Sequence, residues 1–188
     1  MADSEFLDGF ERTLEDGLIK VCNGSSVLGT EILGSPDIDE AWNGSLIEGY
    51  VGDAVNNFNE YPQVALAWAA YLGMGVACNW DKDWAAHKSD TYKDYYGPRG
   101  YDDMDEHIVG DILHLTQEHA GKLVDVLYGC ADLTLSLIRH EEIEPQTARG
   151  FYVLVRAYSV FFRLGAAIEL YRQGYRKTAV NPKDLLKA

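Results

Sequence analysis

From Tyr61 to Trp80 the chain carries twenty consecutive residues without one charged side chain. A run of that length is long enough to cross a bilayer, so it must lie either in a membrane or in the middle of a protein core. Its composition favours the core. The run is built from alanine and glycine rather than leucine and isoleucine, and it includes Gln63 and Asn79. Small residues recur at Ala65, Ala69, Gly73 and Ala77, every fourth position. That spacing lays a flat strip along one side of a helix, against which a neighbouring helix can pack closely. The segment therefore predicts a central helix buried on all sides, starting at Pro62 and running on through Trp84 to His87.

Helical periodicity continues on either side. Leu7, Phe10, Leu14, Leu18 and Val21 step by threes and fours, giving a first helix over residues 4–22 that Asn23-Gly24-Ser25-Ser26 breaks. Ser35-Pro36-Asp37 reads as a helix start, with a capping hydroxyl, a first-turn proline and acids near the positive end of the dipole. Ile38, Trp42, Leu46, Tyr50, Ala54 and Phe58 carry that helix at spacing four, while Gly44, Gly49 and Gly52 weaken it enough to allow a break near residue 44. Beyond residue 102 the apolar positions Ile108, Ile112, Leu115, His119, Leu123, Val126, Cys130, Leu133 and Leu137 keep phase throughout. They predict one helix over residues 102–140, roughly 58 Å long at the standard rise, with His119 in its core face. A last helix spans about residues 145–175. No segment alternates with period two. The expectation is an all-α protein: one domain over 1–188, folded as an antiparallel bundle of about five helices.

Charge narrows the function classes. The net charge is −14, and residues 1–110 hold 21 acidic and 6 basic side chains against 9 and 10 in residues 111–188. An acidic first half disfavours nucleic acid as a partner, because phosphate contact needs a basic footprint, and it disfavours an anionic membrane surface equally. Cys22, Cys78 and Cys130 are widely spaced and form no CxxC pair, as expected of buried free thiols in a reducing compartment. The opening Met1-Ala2-Asp3-Ser4-Glu5 lacks the basic start and apolar core of a signal peptide. The expected location is cytoplasmic, so the sequons at Asn23 and Asn43 read as turns.

Standard catalytic motifs are absent: there is no P-loop, HExxH or GxSxG. Gly73-Met74-Gly75 lacks the third glycine and the preceding strand of a dinucleotide fingerprint. Asp102-Asp103-Met104-Asp105-Glu106 resembles the aspartate-rich magnesium motif of prenyl-transferring helical enzymes in composition but not in spacing. First-turn acids are explained by the helix dipole.

Three constellations remain. On a continuous helix, His107, Asp111, His114 and Glu118 would share one narrow face, with Asp83 and His87 placed to complete a shell for zinc, iron or manganese. His114-x-x-x-Glu118 resembles a fragment of the hemerythrin-type ligand pattern, but no His-x-x-x-His accompanies it, and a solvated polar face explains the same spacing. Trp80 and Trp84, with Tyr92, Tyr95, Tyr96, Arg99 and Tyr101 in the loop over 89–101, form an aromatic segment of the composition that dominates protein interfaces. The same rings also suit packing of the loop onto the bundle. Arg149, Arg156 and Arg163, spaced by sevens, lie nearly in line; they could receive an anionic ligand, but internal pairing with carboxylates such as Asp111 and Glu118 is the favoured expectation.

With no nucleophile–base pair and no complete ligand set, the sequence favours a non-catalytic binding or scaffold protein without a cofactor. It would hold a protein partner, or a second copy of itself, through its acidic surface and the tyrosine loop. An immunity or inhibitor protein for a basic effector is one such case. The alternative is a metal-binding helical protein or metal-dependent enzyme using the His/Asp/Glu stripe.

Overall fold

A computed structural model describes residues 2–177; Met1 and residues 178–188 of the expected 1–188 unit lie outside the described residues. The chain is all-α. In order come α1 (Ala2–Gly24), α2 (Pro36–Ala41), a π-helical turn (Trp42–Leu46), α3 (Ile47–Phe58), α4 (Pro62–His87), α5 (Met104–His107), a second π-helical turn (Ile108–Ile112), α6 (Gln117–His140) and α7 (Ala148–Arg172). Among the described residues there is no strand, only an isolated antiparallel bridge between Gly97 and Gly100.

The charge-free segment is the centre. Every residue from Ala65 to Asn79 is buried, and α7 makes the most extensive contact with α4. Glycine permits that contact twice. A Cβ on Gly73 would fall against the Phe162 carbonyl and 2.9 Å from the Ala166 nitrogen. One on Gly165 would fall against the Ala70 carbonyl, 2.7 Å from the Ala70 Cα. The two helices therefore touch backbone to backbone, as the small-residue spacing predicts. By length and composition α7 is apolar enough to cross a bilayer, and 67% of its most apolar window is buried against the rest of the chain.

The spacing-four stripe Ile38, Trp42, Leu46, Tyr50, Ala54 and Phe58 is buried throughout. Where Gly44 weakens the helix, the chain takes a π-helical turn rather than breaking. Trp42, at its start, stacks on Phe162 with centroids 4.5 Å apart.

The expected single helix over 102–140 does not form. After α5 and its π-helical turn the chain breaks at 113–116: His114 adopts a left-handed backbone (φ 51°), and Thr116 restarts the helix by accepting the His119 N–H. The freed Ile112 carbonyl accepts the Lys82 ammonium at 2.8 Å. Ile108 before the break, Leu113 within it and Leu123 and Val126 after it all join the same core, which is why the apolar spacing in the sequence does not register the break. His119 is a second correction, being exposed in the first turn of α6 rather than in the core.

The arginine row does pair internally, but with α1. Arg156 bonds Glu11 (2.6 Å) and Asp8 (3.2 Å), Arg163 bonds Glu11 (2.8 Å) and Glu15 (3.0 Å), and Arg149 lies over the Phe6 ring at 3.8 Å. Asp111 and Glu118 are not among these partners. The acidic first half and the basic last helix thus meet within one chain.

Candidate functional site

The tyrosine segment folds into a compact cover whose rings point inward. Thr91 and Asp94 form a reciprocal cap, the Asp94 carboxylate accepting the Thr91 N–H (2.6 Å) and hydroxyl (2.8 Å), and this closes a 3-10 turn over Tyr92–Tyr95. Gly97 and Gly100 bond each other's backbone, and Gly100 takes the positive φ (77°) that the turn requires. Asp103, itself buried, accepts the Arg99 backbone N–H and, at 3.3 Å, its Nε.

At the focus stands Tyr50 of α3, fully buried, its hydroxyl donating to the Ala65 carbonyl at 2.5 Å. The rings of Tyr92, Tyr101 and Tyr158 surround it with centroids 5.9, 6.2 and 5.6 Å away. Burial pushes the phenols of Tyr50, Tyr92, Tyr95, Tyr101 and Tyr158 well above their ordinary value. Tyr96 is pushed up to about 12, first by burial and then by donating to Asp53 at 2.6 Å. Tyr92, Tyr95 and Tyr101 are therefore core residues, correcting their expected place on a partner surface. The loop sequence marks them as aromatic; Tyr50 and Tyr158, supplied by distant segments, decide which way they face.

The break at 113–116 also divides the expected metal stripe. His107 bonds Asp111 at 2.8 Å, His114 bonds the Gly110 carbonyl at 3.0 Å, and Glu118 stands exposed on α6 beyond the break. His87 pairs with Asp90 at 2.8 Å, while Asp83 accepts the Ala86 N–H. Among the described residues no three His, Cys, Asp or Glu side chains gather closely enough to hold a metal ion.

Trp80, Trp84 and Arg99 remain at the surface, the tryptophans half-buried. The tryptophans flank a kink in α4 at Asp83, whose backbone leaves the helical region (φ −164°, ψ 83°) and whose side chain caps the final turn. That turn sets Trp84 beside α2 and the first π-helical turn. There an open groove of about 430 Å³ is lined by Asp37, Glu40, Ala41, Gly44, Ser45, Trp84 and Lys88. The space over Gly44 is empty, a Cβ there meeting nothing within 4 Å. Asp37 is held in place by the Trp80 indole N–H at 3.0 Å. The groove brings together the pinned Asp37 carboxylate, the exposed Glu40 carboxylate, Lys88 and the Trp84 indole, and carboxylates beside an indole are groups that attract cations. π-Helical turns are frequent at functional sites because they redirect side chains out of helical register. In sequence Asp37 reads only as part of a helix start, and nothing in the spacing of Asp37 and Glu40 ties them to Trp84.

Comparisons of the chain with protein-family models, curated proteins and solved structures found no match. Its class is therefore set by its own geometry, that of an all-α helical bundle.

Proposed function

We propose that this chain is a non-catalytic binding protein that holds a cationic segment of a protein partner. The observation that carries this reading is the groove in which Asp37 and Glu40 of α2 meet the Trp84 indole of α4. A lysine or arginine side chain entering there would exchange water for two carboxylates and an aromatic face. Long-range attraction from a net charge of −14 would speed the encounter of a basic partner. This reading keeps Trp80 and Trp84 from the expected partner surface and leaves out the buried Tyr92, Tyr95 and Tyr101.

The reading is tested by titrating a hexa-arginine peptide and a hexa-glutamate peptide while following tryptophan fluorescence. The basic peptide should give a saturable change that weakens with salt, and the acidic one none. The double substitution Asp37→Asn, Glu40→Gln, which keeps the Trp84 reporter, should abolish the saturable part. Equal binding of the basic peptide to this variant and the parent chain would assign the attraction to general charge and refute the groove.

A further inference from the structure

A second cavity, away from this groove, carries the opposite charge. It lies where α1 gives way to its following loop, α6 begins and α7 ends, and it encloses about 360 Å³. Its walls are mainly aliphatic (Val27, Met74, Leu115, Leu123 and Ile168), with Ser26, His119 and Tyr171 also lining it. Around them stand Lys122, Arg172 and Arg176, and among the described residues no carboxylate lines the cavity. In a chain with 30 acidic and 16 basic side chains, a cavity with three cations and no acid among its described lining residues departs from the average, even with Arg172 balanced by Glu169 behind it.

The cations are arranged rather than scattered. Arg172 is fixed by the fully buried Glu169, whose carboxylate accepts its Nε and Nη2, each at 2.7 Å, and the Gln173 amide at 2.8 Å. Arg176 lies flat on the Tyr171 ring, 3.6 Å from its centroid, and donates Nη1 to the Tyr171 and Tyr175 carbonyls. That stacking covers a face of the aromatic ring at the rim and leaves aliphatic surface for a ligand body. Lys122 is exposed and makes no ion pair among the described residues, so its ammonium is available. Leu115 supplies its wall from the break at 113–116 that separates α5 from α6.

We propose that this cavity binds a small amphipathic monoanion, an acyl-chain carboxylate whose tail enters between Met74, Leu115, Leu123 and Ile168 while its head meets Lys122 and the arginine pair. Apolar walls with a few fixed polar groups at the mouth are the usual design of a small-molecule site. A volume of about 360 Å³ is on the scale of small-molecule sites and suits a medium-length acyl chain. A point-charge ammonium beside pinned guanidinium groups suits a carboxylate, and the aliphatic lining selects an acyl tail over an aromatic one.

Isothermal titration calorimetry of the full chain with octanoate, n-octanol and acetate tests this. Octanoate should bind saturably at one site. Octanol keeps the tail without the charge and acetate the charge without the tail, so each should bind about tenfold or more weakly. Lys122→Glu should weaken octanoate by a similar factor and leave octanol unchanged. Lys122 is exposed, so the variant keeps the fold, which circular dichroism verifies. Trp84→Ala should bind octanoate like the parent chain, separating this site from the cation groove. Octanol binding as tightly as octanoate, an unaffected Lys122→Glu variant, or no saturable octanoate binding by folded protein would each overturn the proposal.

Discussion

Replacing Gly165 by alanine forces the α4–α7 contact open. The added Cβ would sit 2.7 Å from the Ala70 Cα, whereas non-bonded carbons settle at about 3.5–4.0 Å, a shortfall of about 1 Å. Both sides of the contact are helical backbone, so no rotamer change relieves it. Separation by about 0.5–1 Å forfeits a quarter to a half of each contact's attraction. A buried side chain makes 40–60 contacts of about 0.1–0.2 kcal/mol, so each flanking side chain stands to lose about 1 kcal/mol or more. Overpacked cores lose about 1–3 kcal/mol once relaxed, and alanine's better helix propensity returns about 1 kcal/mol. The net expectation is a loss of about 1 kcal/mol and up to about 2 kcal/mol, or about 2–8 °C in Tm for a chain of this size. Gly73→Ala should behave alike, since its Cβ would meet the Phe162 carbonyl and the Ala166 nitrogen. Gly121→Ala in α6 supplies the contrast: its Cβ meets nothing within 4 Å, and helix propensity alone should stabilise it by up to about 1 kcal/mol. Urea unfolding followed by far-ultraviolet circular dichroism ranks the three. Midpoints for Gly165→Ala and Gly73→Ala equal to or above that of Gly121→Ala would show that the two backbones are not in contact.

Two further outcomes follow from the core and the loops. All three cysteines are buried, with the Cys22 and Cys130 sulfurs 3.7 Å apart; the Cys22 thiol, then burial, pushes Cys130 well above the ordinary thiol range, and burial pushes Cys78 up. A thiol reagent such as DTNB should therefore find none of them in the native chain and all three in denaturant, and a fast-reacting native thiol would contradict this packing. The two carboxyl groups Asp94 and Asp105 should show opposite pH behaviour. The Thr91 N–H and hydroxyl hold Asp94 below the ordinary carboxylate range, so its contribution is present above that range and is lost as pH falls through its depressed folded value. Burial raises Asp105, so the folded state favours its protonated form and its ionisation at neutral pH opposes folding. Asp94→Asn should then destabilise and Asp105→Asn stabilise at about pH 7, both effects fading toward about pH 2.5 in urea midpoints. The same sign for both variants would refute the assignment.

Much of this architecture is written locally. The charge-free run with Ala65, Ala69, Gly73 and Ala77 encodes a core helix and its close contact, because burial and small-residue spacing are properties of one helix face. The stripes of α1 and of Ile38 through Phe58 are legible for the same reason, and the glycine at 44 marks the place where the register shifts. The break at 113–116 is not, because apolar residues on both sides enter one core and keep the phase unbroken. Its local signal is Thr116, a capping residue with Glu118 in the following first turn.

Direction and partnership belong to the tertiary structure. The sequence establishes an aromatic loop, but Tyr50 and Tyr158 draw Tyr92 and Tyr101 inward. Spacing by sevens aligns Arg156 and Arg163, while only the packing of α1 along α7 gives them Glu11. Asp37 and Trp84 meet across a groove because α4 kinks at Asp83, and Lys122 and Arg172 share a cavity because α6 starts beside the end of α7. Periodicity records which face of a helix leaves water. It holds no record of which distant face arrives to cover it, since that choice is made by the summed packing of the whole core.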